Sequence, residues 1–532
     1  MSADAVVIGA GHNGLAAAIG LARAGWDVVV CERNERPGGA VRTEEVTLPG
    51  YRHDLFAANL NLFMGSPFFG EVGDDLTRHG FDVAVADRAF GSVFPGSEND
   101  GGRFIGVSQD EEETRGYLAA CDPRDAEAWS GLARRFEAMA PHLLPLLGVP
   151  LPSVAALRVL ARGTRAHGRT WVPDLVRLLA QSPRELFEEH FATREAQALC
   201  AAWGMHLDFP PSMSGGALFP FLESMASAAN GMALGRGGAD TLVDAMVGLL
   251  GELGGEVRCG VPVERVMVDT GRALGVELAD GSRVRARRAV IATTTPRTLA
   301  EGLVPAIQLP DDYRRRLEAF RYGPGTLMVH LALSDLPDWQ ASSRAREYSY
   351  VHIGPYMEDM DLAYVRAVGG LLPERPTLVV GQPTAVDPSR APDGGHVLWV
   401  QVRAVPSAIR GDAAGKIDAR RWDDAKEPYA DRVLDLIEEH APGTRAKVRG
   451  RAVLSPDDLE AANPNLVGGD SLAGSHHLMQ HFFLRPASGW SRYTTPIDRL
   501  YLCGAGTWPG AGLGAGSGQL LARLLTRRAG SR

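Results

Sequence analysis

Near the start of the chain the apolar positions change rhythm twice. Residues 5–8 form a short unbroken apolar run, as in a strand buried on both faces. Residues 15–24 are rich in Ala and Leu at helical spacing, and residues 27–31 return to an apolar run that ends at Glu32. A strand, a helix and a second parallel strand are predicted, with Gly9-Ala10-Gly11-His12-Asn13-Gly14 as the first turn. Related patterns follow much later. After Arg236 and a Gly237-Gly238 turn, an amphipathic helix is predicted to about residue 253. Alternating strands come next, with a hairpin turn at Asp280-Gly281, and then a buried strand over 289–292. Residues 500–503 read as another strand, followed by a glycine-rich loop and a helix from about Gly516.

The stretches between have a different texture. Residues 108–225 read as largely helical, with helix starts and apolar periodicity at 125–139, 174–180, 183–191 and 194–202, and proline-rich breaks at 141–152. Strand-like runs lie at 326–333, 377–381 and 396–402, ahead of a helix around 429–440. The pattern predicts an α/β fold in which a Rossmann-type nucleotide domain is assembled from 1–85, 225–300 and 490–532. A substrate domain, a mixed sheet with a helical cover, is inserted as 86–224 and 301–489.

Composition narrows the function classes. A chain of 532 residues, 45% hydrophobic and 22% charged, is globular and long enough for two or three domains. A net charge of -9 argues against a nucleic-acid partner, whose phosphates need clustered Lys and Arg, and the basic stretch 523–532 reads as a solvated terminus. Five scattered cysteines, without a C-x-x-C pair or zinc spacing, predict buried thiols, a reducing compartment and no metal. No basic leader precedes the first strand and no apolar run is long enough to span a bilayer, so a cytoplasmic protein is expected. Segment 143–160, flanked by Arg158, Arg162 and Arg165, reads as a lid or pocket wall because its prolines interrupt an amphipathic helix; peripheral membrane contact is the alternative. The pattern specifies no oligomeric state.

The first turn carries specific chemistry. Gly9 permits a tight turn, Gly11 lets a pyrophosphate approach the backbone, and Gly14 lets helix and strand pack closely at the positive helix end. Glu32, at the end of the second strand, is placed to accept the ribose hydroxyls of an adenosine and to repel a 2′-phosphate. His12 reads as a loop residue that presents its backbone.

The run Glu32-Arg33-Asn34-Glu35-Arg36-Pro37-Gly38-Gly39-Ala40-Val41-Arg42-Thr43 resembles the segment after the Rossmann acid in flavoproteins of the amine oxidase and phytoene desaturase superfamily. The resemblance implies FAD, with Arg33, Gly38, Gly39, Ala40 and Arg42 along it. Ala40 stands where the superfamily commonly has Arg, and Arg42 follows two positions on, a pattern similar to the phytoene-dehydrogenase-related branch. The segment from Arg236 resembles the second FAD segment of the superfamily, which implies that Val263 reads the adenine edge through its backbone. "RLYLCGAGTWPGAGLGAGSGQLLARLL" resembles the C-terminal FAD motif of bacterial phytoene desaturases, which implies cofactor contacts at Gly504, Gly506, Gly510, Leu513 and Gly514. "GGDSLAGSHHLMQHFFLRP" also looks like a characteristic stretch of that branch.

The family resemblance implies an FAD-dependent dehydrogenase or desaturase that moves hydride from a mainly apolar small molecule, isoprenoid-like or a secondary metabolite, onto flavin N5. Such a step needs placement and water exclusion more than a catalytic dyad. Candidates for proton handling are His476, His477, His481 and Tyr493; Trp508, where many relatives have His, reads as a pocket wall at the flavin or as a packing residue. His477, Tyr493 and Trp508 are carried forward as the catalytic set. His53-Asp54 matches a place where relatives have an acid near the isoalloxazine ring, and Arg485 reads as an anchor for a loop, with a polar substrate end as the alternative. The main rival is an amine or amino-acid oxidase, whose relatives place a lysine near flavin N5 where this chain has "RYGPGTLMVHLAL"; the only lysines are Lys416, Lys426 and Lys447. A flavin-binding protein without turnover is the third reading.

Overall fold

The computed structural model describes residues 1–96 and 101–530. Apolar strands from three distant segments pair into one sheet. Ser2–Ile8 lies at its centre, parallel to Arg283–Ala292 on one side, with Val6 opposite Val290, and to Val28–Cys31 on the other, with Val6 opposite Val29. Glu256–Arg258 and Leu500–Leu502 extend the sheet outward, also in parallel. The antiparallel pair Val263–Asp269 and Arg272–Leu278 runs into Arg283–Ala292 through the Asp280-Gly281 turn, where Gly281 adopts φ +81°. These strands fall within 1–85, 225–300 and 490–532.

Three helices cover one face of this sheet: His12–Arg23, Asp240–Glu252 and Gly516–Gly530. The first and last touch through small residues. A Cβ at Gly518 would fall 2.0 Å from Asn13 O, and one at Gly20 would fall 2.7 Å from the Ala522 Cβ. The two ends of the chain are thereby held together, and the loop after Leu500–Leu502 comes to rest beside the first glycine turn. Arg523 pairs with Glu71 rather than standing free in solvent, and residues 531–532 of the basic stretch lie outside the described residues.

A second seven-stranded sheet runs Val448–Leu454, Gly325–Leu333, His396–Val405, Thr377–Gly381, Tyr350–Ile353, Arg88–Phe94, Arg103–Ser108. Its one parallel pairing joins Tyr350–Ile353 to Arg88–Phe94. Strand periodicity of two gives the sheet two different faces. Leu398, Val400 and Val402 pack with Leu327, Val329 and Leu331 under the helix Trp422–His440, whereas Trp399, Gln401 and Arg403 point the other way, toward the nucleotide domain. That helix starts at Trp422, ahead of Pro428, rather than near 429. Trp422 is 1% exposed and its indole N–H donates to Pro406 O, so burial of the first turns outweighs one missing backbone donor.

Helices Pro123–Leu143, Val154–His167, Trp171–Ala180, Pro183–His190, Arg194–Ala201 and Leu218–Asn230 lie over the cavity-facing side of the second sheet and share its core. Prolines interrupt the 143–160 segment as expected from composition: a 3₁₀ turn, Leu144–Gly148, separates the first two of these helices.

Candidate functional site

A cavity of about 610 Å³ runs between the two sheets, within the size range of cofactor and ligand sites. Its nucleotide end is built by backbone. Gly9 adopts φ +98°, and a Cβ there would fall 2.5 Å from Thr293 Oγ1, whose hydroxyl donates to Ile8 O. At Gly14 a Cβ would fall 2.3 Å from Gly9 O. Gly11 is different: the nearest atoms to its missing Cβ are 4.0 Å away, so a side chain there would meet no protein and would fill the cavity instead. Gly11 also caps the helix His12–Arg23 without any side-chain bond, which leaves first-turn N–H groups and the positive helix end at the cavity wall. Glu32 is buried at the edge; its Oε2 accepts the Ala10 N–H and its Oε1 accepts the Asn34 N–H, each at 2.9 Å. An ionised carboxylate has lone pairs left for two ribose hydroxyls.

Gly38, at φ +133°, donates its N–H to Ala10 O, and Gly39, at φ +62°, lines the cavity beside Ala40. Gly260 donates to Asn34 O, which brings Pro262 and Val263 to the same end. An adenosine diphosphate moiety fits this cradle: open space over Gly11, unsatisfied donors at a helix start, and a fixed acid. His12 also lines it; Asn13 Nδ2 lies 2.9 Å from its Nε2, and burial pushes its pKa down to about 4, so the ring is neutral.

The C-terminal loop closes the cavity with Gly504, Ala505, Gly506, Ala511, Gly512 and Leu513. Gly504 donates to Ser517 Oγ at 2.9 Å, and Ala511 donates to His476 Nε2 at 2.9 Å. A Cβ at Gly510 would fall 2.5 Å from that same His476 nitrogen, so glycine makes room for the histidine that pins the loop. Burial holds the His476 pKa far below its usual value, which keeps Nε2 an acceptor. Arg485, fully buried, donates to Gly474 O, Ser475 O, Gln480 O and Ala505 O and ties the two loops together.

Among the expected cofactor residues, Gly9, Gly11, Gly14, Glu32, Arg33, Gly39, Ala40, Val263, Gly504, Gly506 and Leu513 line the cavity. Gly38, Gly510 and Gly514 do not; they shape the turns behind it. Arg42 does not either: its guanidinium pairs with Glu44 two residues on, and its Nε is buried without a partner.

The three residues expected to be catalytic lie outside the cavity lining. Tyr493, 1% exposed, donates its O–H to Trp508 O at 3.0 Å, and Trp508, 3% exposed, donates its indole N–H to Val149 O at 2.9 Å. Together they brace the glycine loop against the 143–152 segment. His477 is engaged with Asp208, 3.1 Å from Oδ2 and 2.9 Å from its carbonyl oxygen. Burial alone would lower its pKa, but the hydrogen bond and charge of Asp208 more than offset this and raise it. Asp54 is likewise occupied: its carboxylate pairs with the buried Arg390 at 2.6 Å and accepts from Thr43 and Ala239 N–H, which locks the two domains together.

The far end of the cavity is made of side chains. Phe56, Ala57 and Asn59 from the nucleotide domain face Trp203, His206 and Glu223 from the helical cover and Tyr350, Trp399, Gln401 and Arg403 from the sheet. The rings of Tyr350 and Trp399 stack at 5.5 Å, and Trp203 lies 6.4 Å from Tyr350 and 4.5 Å from His206. Glu223 accepts from Asn59 Nδ2 at 3.2 Å, and burial raises its pKa to about 7. His206 is held neutral by burial and by the charge of Arg403. Sequence reasoning singled out Phe56, which stands where desaturases often have glycine, and missed the rest, although one signal was present: Gln401 and Arg403 alternate with apolar residues in the buried strand His396–Val405, a period-two polar stripe inside a core strand.

The chain matches the family model described as flavin containing amine oxidoreductase over residues 14–514. It is 28% identical over 557 residues to pyridine nucleotide-disulfide oxidoreductase domain-containing protein 2 of Rattus norvegicus, spanning 98% of this chain and 93% of the relative. It is 27% identical over 548 residues to a phytoene desaturase (neurosporene-forming) of Rhodobacter capsulatus, spanning 98% and 93%. A solved oxidoreductase from Methanosarcina mazei shares the fold, with a TM-score of 0.62 at 16% identity over 99% of this chain and 100% of that one. The family match runs from the first glycine turn to the C-terminal loop, through the segments that wall the cavity, and the chain belongs to the flavin containing amine oxidoreductase family as an FAD-dependent oxidoreductase.

Proposed function

We propose that this oxidoreductase is a dehydrogenase of the desaturase kind, acting on the C–H bonds of a largely apolar small molecule. The observation that carries the reading is the far end of the cavity, where Phe56, Trp203, Tyr350 and Trp399 offer aromatic surface and no lysine enters. Lys426 pairs with Asp458, Lys447 with Asp335 and Asp338, and Lys416 is exposed; none of the three lines the cavity, which weakens the amine-oxidase reading. The relative named phytoene desaturase supports the same choice.

FAD, when bound, would supply the two-electron acceptor for the hydride that a dehydrogenation releases, leaving a proton on the neighbouring carbon for the protein to remove as the double bond forms. The aromatic walls hold the substrate and exclude water. Glu223 takes the proton, since it borders the cavity and its pKa near 7 suits a base at neutral pH. The Gly11 turn and the helix start would hold the pyrophosphate, and Glu32 would hold the ribose.

Anaerobic mixing of the yellow holoenzyme with a panel of apolar donors and amines tests the proposal. Bleaching by an apolar donor is expected. Bleaching by amines alone would transfer the enzyme to the oxidase class.

One surface favours peripheral contact with a lipid layer that would deliver such a substrate. Val154 and Leu157 are 64% and 65% exposed on helix Val154–His167, Val176 is 57% exposed on the next helix, and Arg158, Arg162 and Arg165 are exposed beside them. Apolar side chains with flanking arginines suit an anionic interface. Co-sedimentation with phosphatidylglycerol vesicles, lost in the double variant V154S/L157S, is the expected result. No helix among the described residues is long and apolar enough to cross a membrane.

A further inference from the structure

An arginine stands in the far compartment of the cavity, and no carboxylate among the described residues forms an ion pair with it. Arg403 lies on the cavity face of strand His396–Val405, is 5% exposed, and lines the cavity. Its Nε–H and one Nη2–H donate to Met205 O at 3.1 and 2.8 Å, and one Nη1–H donates to Ser471 Oγ at 3.0 Å. Three of the five N–H groups of a guanidinium are thereby used, and one on each terminal nitrogen is left. All the acceptors are neutral.

The nearest acids serve other groups. Asp208 accepts from Tyr364 O–H and Ser475 O–H and pairs with His477, while Asp470 accepts the N–H groups of Gly323, Leu472 and Gly474. Both favour the charged guanidinium from a distance, but neither forms an ion pair with it among the described residues. Burial lowers the Arg403 pKa only to about 10, so the group stays cationic at neutral pH, and the neutral His206 beside it adds no compensating charge. An anion that meets a buried cation of this kind offsets part of its desolvation. Arg403 borders the cavity, where a bound molecule would meet it.

We propose that Arg403 binds a carboxylate carried by the substrate, so that the molecule dehydrogenated is an apolar monocarboxylic acid rather than a pure hydrocarbon. Two free N–H groups on a planar fork suit the two oxygens of a carboxylate. A phosphate dianion fits less well, because the cavity offers one buried guanidinium at this end and also holds the acid Glu223. Trp203, Tyr350 and Trp399 would cover the apolar body while the acid end is held at Arg403. The inference refines the dehydrogenase reading above and rests on it for the word substrate, but its test reads binding alone.

The test is calorimetric titration of the holoenzyme with 3-phenylpropanoate and with its neutral isostere 3-phenylpropanamide, with inorganic phosphate as a third titrant. The acid is expected to bind on the order of 10- to 100-fold more tightly than the amide, the worth of hydrogen bonds to a charged group. R403Q should abolish that preference and R403K should restore part of it. Equal affinity for acid and amide in the wild-type enzyme overturns the proposal without any variant, which matters because Arg403 also braces Met205 and Ser471. Unchanged acid affinity in a folded R403Q overturns it too, and phosphate binding as tight as the acid overturns the carboxylate assignment. Loss of flavin from the purified protein, seen in its visible spectrum, would instead mark failure of the flavoenzyme reading.

Discussion

At its nucleotide end the cavity is walled by backbone: glycines at positive φ, a helix start without a capping side chain, and one acid held by two N–H groups. At the other end the walls are side chains that arrive from residues 56–59, 203–206, 223, 350 and 399–403. The first design depends on the absence of side chains within short segments. The second depends on the meeting of side chains far apart in sequence. Backbone cradles are therefore intolerant of any added atom, whereas the substrate end should tolerate change in shape but not in charge.

Two glycine substitutions separate these ideas most sharply. Gly14→Ala puts a Cβ 2.3 Å from Gly9 O, which must strain the turn by about 1–3 kcal/mol or more and release the flavin. Gly11→Ala meets no protein atom closer than 4.0 Å, so the protein is expected to keep its melting temperature as apoprotein and still lose the flavin. Flavin absorbance and thermal unfolding of both variants check this; a yellow G11A would break the contrast.

At the far end, Glu223→Gln should keep the flavin and slow anaerobic reduction by about 10²–10⁴-fold, the usual worth of a general base. The base works when ionised, so the wild-type rate should rise with pH through about 7 and the variant should lack that rise. Stopped-flow reduction between pH 5 and 9, at values about 0.5 apart, would reveal it.

Outside the cavity lining sits the buried pair Arg390–Asp54. Arg390→Met strands two carboxylates, Asp54 and Asp387, and is expected to cost about 3–5 kcal/mol in denaturant unfolding. Smaller effects are expected where the residues brace rather than react. Tyr493→Phe removes one hydrogen bond to Trp508 O, worth about 0.5–1.5 kcal/mol, and should leave kcat unchanged. A large loss of kcat in a stable Y493F would return that residue to the chemistry.

The smallest effect concerns His477, whose folded pKa is raised by Asp208 against the lowering effect of burial. A raised folded pKa means that its contribution is complete below the ordinary value of 6.5 and is lost as pH climbs through the folded value. His477→Gln should flatten that part of the stability profile, as read by thermal shift across pH 6 to 9.

Much of the nucleotide end was legible because its physics is local. Gly9, Gly11 and Gly14 sit within one turn, and Glu32 follows at the end of the next strand, so strand rhythm and residue identity specify the cradle together. The helical cover was legible at 125–139 and 194–202 for the same reason, since amphipathic period is a property of a short window. Strands Arg88–Phe94, Arg103–Ser108, Tyr350–Ile353 and Val448–Leu454 escaped notice because their pairing partners are distant and their local patterns are weak. That His477, Tyr493 and Trp508 lie outside the cavity lining was not legible, because proximity in sequence to a cofactor loop says nothing about which way a side chain turns.

By itself the amino-acid order determined a glycine turn of the dinucleotide type, the acid at the end of the next strand and the alternation of strands and helices, all set by backbone preferences over a few residues. Only the tertiary structure decided that Tyr493 and Trp508 face a loop carbonyl, that Asp54 is spent on Arg390, and that Glu223 and Arg403 face one compartment. Side-chain direction and burial depend on which distant elements pack together, and that is settled by the whole core rather than by any segment of it.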